Sequence, residues 1–397
     1  MSTADHGGSQ LGLYVHVPFC VSRCPYCDFN SVARDDPPWE SYTTALRAEL
    51  RARAPRFRDS QLQSIYVGGG TPSLAPASAL TGLVDCARDT FRAADVVEVT
   101  VEVNPADLDG RGFETLRAGG FDRLSIGWQS SADHVLHTLG RRHSAAEGAA
   151  CVALARRAGF DNVSVDLMFG VQGQTLDDLN RDLDGVVELG VEHVSTYGLT
   201  FHDDTDFGRR LRAGELATMA EDDEVEMMLR IEERLSGEGY ERYEVSNYAR
   251  RGRRAVHNSL YWTGVEYLGL GAGAHSFVRR GWQRGWRWES RRDPDAYIQA
   301  WQRRASSSEG LPGDGDGSIE WIEELTPRQM MTERMLCGLR TVEGVDLDEP
   351  VIAAHRNHVE RCAIEATKRD WAARVGNRLR PTSMGLMNAD ALAALFF

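Results

Sequence analysis

Short runs of β-branched and aromatic residues alternate along this chain with longer stretches whose apolar positions recur at helical spacing. The short runs are LGLYVHV from Leu11, SIYV from Ser64, VEVTVEV from Val97, RLSIGW from Arg123, VSVDLMF from Val163 and HVSTYGL from His193. This alternation predicts an α/β fold with a parallel sheet and right-handed crossovers. Six such units would make an incomplete TIM-type β/α barrel, since a closed barrel needs two more. A flat, doubly wound sheet fits the pattern as well.

The last third of the chain has a different composition. Residues 279–304 are rich in Arg and Trp, and the simplest interpretation is a solvated, amphipathic surface segment. Residues 306–318, SSSEGLPGDGDGS, have the composition of a flexible connector. Thr326 and Pro327 are typical of the first positions of a helix. We predict a disordered tail over 1–10, a core barrel and its extension over 11–278, an Arg/Trp-rich segment and linker over 279–318, and a mainly helical C-terminal domain over 319–397.

Composition and charge exclude several classes of protein. The 397 residues carry a net charge of −14, which argues against general nucleic-acid binding, so we expect no nucleic-acid partner. Lys368 is the only lysine, and the chain has no GxxxxGK[ST] phosphate-binding loop. There is no long apolar run and no secretory signal at the start, and the sequence therefore predicts a cytoplasmic protein.

The spacing of the cysteines carries the strongest chemical signal. Cys20, Cys24 and Cys27 form CxxxCxxC directly after the first predicted strand, which indicates a shared metal. Structural zinc sites take four ligands, commonly as two pairs, whereas three thiolates can hold a 4Fe-4S cluster and leave its fourth iron open. We favour the cluster, with zinc and coincidence as alternatives. The other four cysteines, Cys86, Cys151, Cys337 and Cys362, are predicted to be buried small hydrophobes.

CxxxCxxC with an aromatic residue before the third cysteine resembles the motif of the radical S-adenosylmethionine (SAM) superfamily. GGGTPS at 68–73 after the second strand and VEVNP after the third resemble that family too. The resemblance implies a partial barrel that binds a 4Fe-4S cluster through the three cysteines, with SAM beside it. The residues implied around SAM are Tyr14, Tyr26, Gly69, Gly70, Thr71, Glu102, Gln129, Arg141 and Asp166, with His275 near the adenine. From the residues alone, GGG is a tight turn and Glu102 an edge carboxylate paired with arginine.

Several motifs narrow the resemblance to the oxygen-independent coproporphyrinogen III oxidase family, and within it to the HemW-type heme chaperones. They are LYVHVPFCVSRCPYCDFNS, RLSIGWQS, LGRRH, YEVSNYAR, YLGLGAGAHS and LTPRQMMTERMLCGLR. The oxidases carry a further cysteine where this chain has Phe29. HNSLYW at 257–262 matches a motif associated with heme, which implies His257 as iron ligand and Tyr261 and Trp262 as shaping residues. The alternative for HNSLYW is a strand packed on the core.

The resemblance implies a heme chaperone that carries a 4Fe-4S cluster and SAM and holds heme as cargo. It further implies transfer to heme-accepting respiratory proteins, a homodimer supported by the cluster, a HemN-like C-terminal domain, and peripheral association with the inner face of the membrane. The alternatives are a coproporphyrinogen III oxidase of porphyrin biosynthesis and a radical SAM methylase. The sequence leaves open whether SAM is cleaved, and therefore whether the protein is an enzyme.

Overall fold

The computed structural model describes residues 9–93, 95–303, 312 and 316–397 of the chain. Residues 1–8 of the predicted tail and positions 304–311 and 313–315 of the predicted Arg/Trp-rich segment and linker lie outside the described residues, while Ser9 and Gln10 already belong to a strand. The strands are β1 Ser9–Val17, β2 Phe19–Cys20, β3 Val32–Ala33, β4 Ser60–Gly69, β5 Glu98–Val103, β6 Arg123–Gln129, β7 Val163–Phe169, β8 His193–Gly198, β9 Glu241–Arg242, β10 Asn247–Ala249, β11 Glu266–Leu270, β12 His275–Arg280, β13 Arg284–Ser290, β14 Ile319–Leu325, β15 Val345–Asp346, β16 Ala372–Val375 and β17 Arg378–Pro381.

Helices follow most of the parallel strands, as the alternating pattern predicts. They are α1 Trp39–Arg53, α2 Ala77–Phe91, α3 Gly110–Ala118, α4 Asp133–Thr138, α5 Ala145–Arg157, α6 Leu176–Leu189, α7 Asp206–Arg212, α8 Glu221–Gly237, α9 Val256–Thr263, α10 Pro294–Arg303, α11 Pro327–Gly338, α12 Pro350–Ala353, α13 Arg356–Lys368, α14 Ser383–Met387 and α15 Ala389–Ala394, with short 3₁₀ turns at Ala54–Phe57 and Pro72–Leu74. Local sequence sets several ends, since Thr175 and Asp178 form a capping box at the start of α6 and Gly190 ends it in the left-handed conformation.

The large sheet has the strand order β14-β13-β12-β11-β1-β4-β5-β6-β7-β8-β10-β9 among the described residues. The strands from β11 to β8 in this order are parallel, and antiparallel strands extend the sheet at both ends. The six predicted strands form β1, β4, β5, β6, β7 and β8, and the sheet stays open. The incomplete α/β barrel is therefore confirmed. Strand β11 joins the barrel beside β1, and GLGAGA at 269–274 forms its end and the turn that follows.

Helix α9 contains the HNSLYW motif, so the alternative of a strand is wrong. Glu98, at the first position of β5, accepts hydrogen bonds from the backbone N–H groups of Val256 and His257 at 2.9 and 3.0 Å. The helix packs against β1, β4 and β11, where His257 contacts Ser64, the residue of β4 that pairs with Glu98 at the start of β5. Helix α9 therefore fills the space at the amino-terminal ends of the barrel strands, opposite the ends that carry the cysteines.

The Arg/Trp-rich segment folds as part of the large sheet. Its residues form β13 and α10, and the side chains of Trp288 and Trp301 are buried. The expectation of a solvated surface segment is wrong for these residues, because Trp288 packs in the main core while Arg287, its neighbour on the opposite face of β13, pairs with Glu323 and Glu333.

The C-terminal residues build a smaller core of their own around helices α11 to α15 and the sheet β15-β17-β16. Thr326 caps α11 in a capping box with Gln329, as predicted. Strand β14 nevertheless pairs with β13, so the large sheet extends beyond residue 318, the predicted linker boundary. The division into domains stays a prediction. None of the described helices is long and apolar enough to cross a membrane. Cys151 is buried as predicted, whereas Cys86, Cys337 and Cys362 are half-buried.

Candidate radical SAM site

A cavity of about 410 Å³ opens at the carboxyl-terminal ends of the parallel strands. All three motif cysteines line it, together with most of the residues predicted around SAM. Those residues are Tyr26, Gly69, Gly70, Thr71, Glu102, Gln129, Arg141 and Asp166. Carboxyl ends of neighbouring parallel strands meet at one edge of a sheet, which is where active sites of β/α barrels lie. The topology thus gathers residues from β2 and from β4 to β8 around one space.

The loop from Cys20 to Cys27 follows β2 and is held by polar contacts. The backbone N–H of Cys27 donates to the carbonyl of Cys24 at 3.1 Å, and the Thr71 hydroxyl donates to the Cys20 Sγ at 3.3 Å. Burial raises the pKa of the Cys20 and Cys27 thiols. A metal is needed to hold these groups as thiolates at neutral pH, since binding to a metal deprotonates a thiol outright.

The glycines after β4 let the backbone approach the cysteine loop. Gly69 has φ of +118°, a conformation that only glycine adopts readily. A Cβ on Gly70 would lie 2.8 Å from the Pro18 carbonyl carbon and 3.0 Å from the Cys20 Sγ. The GGG segment is therefore a close approach between two loops as well as a turn.

Two buried carboxylates lie in the wall of the cavity. Glu102 accepts hydrogen bonds from the Tyr66 hydroxyl at 2.8 Å and from the Gly69 N–H at 2.9 Å, and burial raises its pKa to about 7. Asp166 accepts from the Ser125 hydroxyl at 3.4 Å, and burial raises its pKa to about 6. Neither carboxylate has a close arginine partner among the described residues, so the alternative of an edge ion pair for Glu102 is wrong. Both are suited to a cationic ligand.

Arg141 places a positive charge next to the cysteine loop. Its guanidinium donates to the Cys24 Sγ at 3.6 Å, to the Asn104 side-chain oxygen at 2.6 Å and to the Gly127 carbonyl at 3.1 Å. Its Nε is buried and has no hydrogen-bond partner among the described residues. Gln129, after a break in the β6–β7 pairing, is buried with φ of +66°. Backbone strain of this kind in a residue other than glycine is common at ligand sites.

The structure places the other predicted residues elsewhere. Tyr14, Tyr261 and His275 line a second cavity of about 390 Å³, which shares Asp28, Phe29, Gly69 and Glu102 with the first. His257 and Trp262 line neither cavity. Both ring nitrogens of His257 are hydrogen-bonded, to the Ser64 hydroxyl and to the Tyr261 hydroxyl, each at 2.8 Å. Burial lowers the pKa of His257 to about 3.

Sequence reasoning missed many residues of the first cavity, and four of them show why: Tyr66, Arg123, Ser125 and Tyr197. Each lies on a barrel strand, two to four positions from a glycine or polar residue that lines the same cavity. The period-two pattern of β-strands could have found Ser125, which shares a face with Gly127 and Gln129. Arg123, fully buried at the start of β6, could have been suspected because a buried arginine needs polar partners.

The residues fit a 4Fe-4S cluster and SAM. Among the residues that the structure describes, no three His, Cys, Asp or Glu side chains converge as ligands of a single metal ion do. Three thiols around a common cavity fit a cluster instead, in which each thiolate binds its own iron. The carboxylates of Glu102 and Asp166 suit the positive amino and sulfonium groups of SAM, and the Arg141 guanidinium suits its carboxylate.

An open β/α barrel with three cysteines in the loop after its first strand and a glycine cradle after the next defines a radical SAM protein. The model of the Radical SAM superfamily matches residues 14–186. The heme chaperone HemW of Mycobacterium tuberculosis (strain ATCC 25618 / H37Rv) is 37% identical over 97% of this chain and 94% of its own length. That of Bacillus subtilis (strain 168) is 32% identical over 84% of each chain. The chain belongs to the HemW family of radical SAM proteins.

One solved structure shares the whole fold. Coproporphyrinogen III oxidase (HemN) from Escherichia coli superposes with a TM-score of 0.81 over 98% of this chain and 90% of that one, at 20% sequence identity. At this identity the likeness shows the fold, and it includes the C-terminal helices as well as the barrel.

Proposed function

We propose that this protein is a heme chaperone that carries a 4Fe-4S cluster and SAM. The observation that supports the proposal most is the similarity to the heme chaperone HemW of M. tuberculosis, which extends over 94% of that protein. Phe29 is a second argument, because the oxidases that the sequence resembles carry a further cysteine at this position. A phenylalanine that is 59% exposed beside the cluster loop offers an apolar contact instead of a thiol.

Cys20, Cys24 and Cys27 hold the cluster in this proposal, and the cluster with SAM supplies one-electron chemistry when bound. Gly69, Gly70 and Thr71 form the cradle beside it, while Tyr26, Glu102, Gln129, Arg141 and Asp166 surround SAM. Arg141 has two tasks here. Its donor 3.6 Å from the Cys24 Sγ stabilises a thiolate, and its hydrogen bond to Asn104 fixes the guanidinium within the cavity.

Heme is cargo in this proposal, and it binds in the second cavity. Tyr14, Tyr261 and Tyr267 give this cavity an aromatic wall, and aromatic faces cover a porphyrin well. Of the predicted heme contacts, Tyr261 lies in this wall. Ligation of iron by His257 would require one of its two hydrogen bonds to break, and Trp262 would have to act from outside the cavity.

The acceptors that we propose are heme-dependent respiratory proteins, with the protein acting as a homodimer at the inner face of the membrane. Resemblance to the family supports this part. Sedimentation with and without reconstituted cluster tests the dimer, and flotation with vesicles of anionic lipid tests membrane association. A monomer in both cluster states contradicts the first proposal, and absence from the vesicle fraction contradicts the second.

The oxidase is the second candidate because the HemN fold covers almost the whole chain. The deciding experiment uses the cluster-reconstituted protein under anaerobic conditions with SAM and a reductant, offered heme in one sample and coproporphyrinogen III in another. Saturable heme binding, transfer to an apo-acceptor and an unchanged porphyrinogen are the results we expect. Oxidative decarboxylation of the porphyrinogen would replace the chaperone proposal with the oxidase. Cys24→Ser should lose cluster iron, whereas Cys86→Ser, outside the site, should retain it.

A further inference from the structure

We infer that His275 is the axial ligand of the heme iron, bound in the second cavity. The inference rests on the proposed function and deepens it by naming the iron-binding group. His275 is the first residue of β12, directly after the GLGAGA turn. Its side chain is 49% exposed, at the rim of the second cavity, whereas His257 is buried outside it.

The free hydrogen-bonding capacity of His275 distinguishes it from the other histidine of this cavity. In His16 one ring nitrogen bonds the Tyr14 hydroxyl at 2.9 Å and the other bonds the Asn30 carbonyl at 2.8 Å. Within the described part of the chain, no hydrogen bond engages either ring nitrogen of His275. An imidazole must present a free nitrogen to bind iron, and His275 meets this requirement without rearrangement.

A buried carboxylate orients His275. Its Nε2 lies 3.6 Å from the Glu289 carboxylate, which is held in turn by the Trp321 indole N–H at 2.7 Å. The Trp321 ring packs edge-on against the imidazole, with ring centroids 5.6 Å apart. A histidine that ligates a metal commonly directs its other ring nitrogen to a carboxylate, which fixes the ring and raises its basicity. His275 therefore has the supporting partners of a metal-binding histidine.

The turn before His275 is held rigidly by buried groups from distant parts of the chain. Glu49, fully buried, accepts hydrogen bonds from the Gly271 N–H at 3.0 Å and the Ser290 hydroxyl at 3.1 Å. The Tyr42 hydroxyl accepts from the Ala272 N–H at 2.9 Å. The Asn30 side chain donates to the carbonyl of Ala272 at 2.9 Å, which ties the turn to the loop that carries the cysteines. A fixed turn presents its histidine at a fixed distance from the cluster loop.

The surroundings of His275 suit the rest of a heme molecule. Arg292 contacts Glu289 through its Nε at 3.3 Å, and its side chain is 61% exposed, so the guanidinium is accessible to a propionate. Asp28, Phe29, Asn30 and Arg292 line both the second cavity and a neighbouring one of about 370 Å³. A planar ligand that enters beside His275 can extend over the exposed Phe29 ring into this neighbouring space.

The test is a titration of the full-length protein with hemin, followed by Soret absorbance and by resonance Raman spectroscopy. The variants are His275→Gln, His257→Gln and His202→Gln. His202 is the competing candidate, since it is also half-exposed near a carboxylate, 3.4 Å from Asp28, and lines the neighbouring space that the heme would enter. We expect His275→Gln to bind hemin at least tenfold more weakly, to lose the spectrum of a histidine-ligated iron, and to regain that spectrum with added imidazole. The other two variants should keep the wild-type spectrum.

The outcomes separate the two proposals. An unchanged spectrum in His275→Gln, or its loss in His257→Gln or His202→Gln with imidazole rescue there, overturns the assignment of His275 and leaves the chaperone proposal standing. A wild-type protein that binds no hemin saturably overturns both. Glu289→Gln is a further variant that keeps the ligand: it should shift the iron–histidine stretching frequency while hemin still binds. An unshifted frequency would contradict the orienting contact.

Discussion

Replacing Glu102 by glutamine should stabilise the protein without ligand and weaken its binding of SAM. Burial raises the pKa of Glu102 from 4.5 to about 7. At 1.36 kcal/mol per pKa unit, this corresponds to about 3 kcal/mol in favour of the protonated carboxyl in the folded state. Between about pH 4.5 and pH 7 the folded state holds more protons than the unfolded state, so the free energy of unfolding falls as the pH rises through this window. Above pH 7 the folded state carries the full cost of burying the ionised Glu102 carboxylate.

Glutamine at position 102 has no titratable carboxyl group and has nearly the same shape as glutamate. Its oxygen can accept from the Gly69 N–H, and its amide can donate to the Tyr66 hydroxyl oxygen. Chemical denaturation under reducing conditions should therefore show E102Q more stable than wild type by up to about 3 kcal/mol at pH 8, and no more stable near pH 4. The affinity for SAM should fall by roughly 10- to 100-fold, the equivalent of one hydrogen bond to a charged group.

Glu244→Gln is the matched control. Burial also raises the pKa of Glu244 to about 7, and this residue does not line the cavity. E244Q should flatten the pH dependence of unfolding in the same way and bind SAM like wild type. If E102Q is no more stable than wild type at pH 8, the carboxylate is not desolvated as described. If E102Q binds SAM with unchanged affinity, Glu102 is not a SAM contact.

Three further changes test other parts of the structure. Gly70→Ala places a Cβ against the Pro18 backbone and the Cys20 thiol, so it should lower the free energy of unfolding by about 1–3 kcal/mol and reduce bound iron, whereas Gly237→Ala, with open space around it, should do neither. Trp288→Ala should cost about 3–5 kcal/mol in denaturation, and Trp282→Ala, at a 38% exposed position, under about 0.5 kcal/mol; equal costs would contradict the buried strand. His257→Ala should cost about 2–4 kcal/mol because it leaves the buried Ser64 hydroxyl without its partner, and a smaller loss in the background of Ser64→Ala checks this coupling.

The barrel and the cysteine site could be predicted because their signals are local. Each barrel strand is a short β-branched run followed by its own helix, and the cysteines lie within eight positions of one another. Parallel strands bring their carboxyl ends together, so Glu102, Gln129 and Asp166 meet at one cavity once the strand order is known.

Interactions between distant residues decided what the sequence pattern could not. HNSLYW forms a helix whose first backbone N–H groups donate to the Glu98 carboxylate. Glu98 precedes Val256 by 158 positions, and no local pattern reveals such a distant partner. Tyr14 and His275 line the second cavity because β1 pairs with β11 on one side and β4 on the other. Spacing along the chain does not say on which side of β1 a residue will lie.

The Arg/Trp-rich segment was misread because both residue types carry long apolar parts with polar ends. In β13 the tryptophans at 286 and 288 alternate with Arg287 and Glu289. This alternation is typical of a strand with one face on the core. The pairing of β13 with β12 and β14 then buries Trp288, while the ion pairs of Arg287 lie on the other face.

The position of β11 in the sheet constrains how the chain is built during synthesis. Strand β1 is made before the other strands of this sheet that the structure describes, yet one of its two neighbours begins at Glu266, which pairs with Leu11. Until that late strand arrives, β1 is an edge with unpaired backbone groups, and helix α9 is not yet present to cover the amino-terminal ends of the barrel strands. A contact of this sequence separation forms slowly. The nascent barrel therefore stays open along β1 until synthesis has passed Glu266.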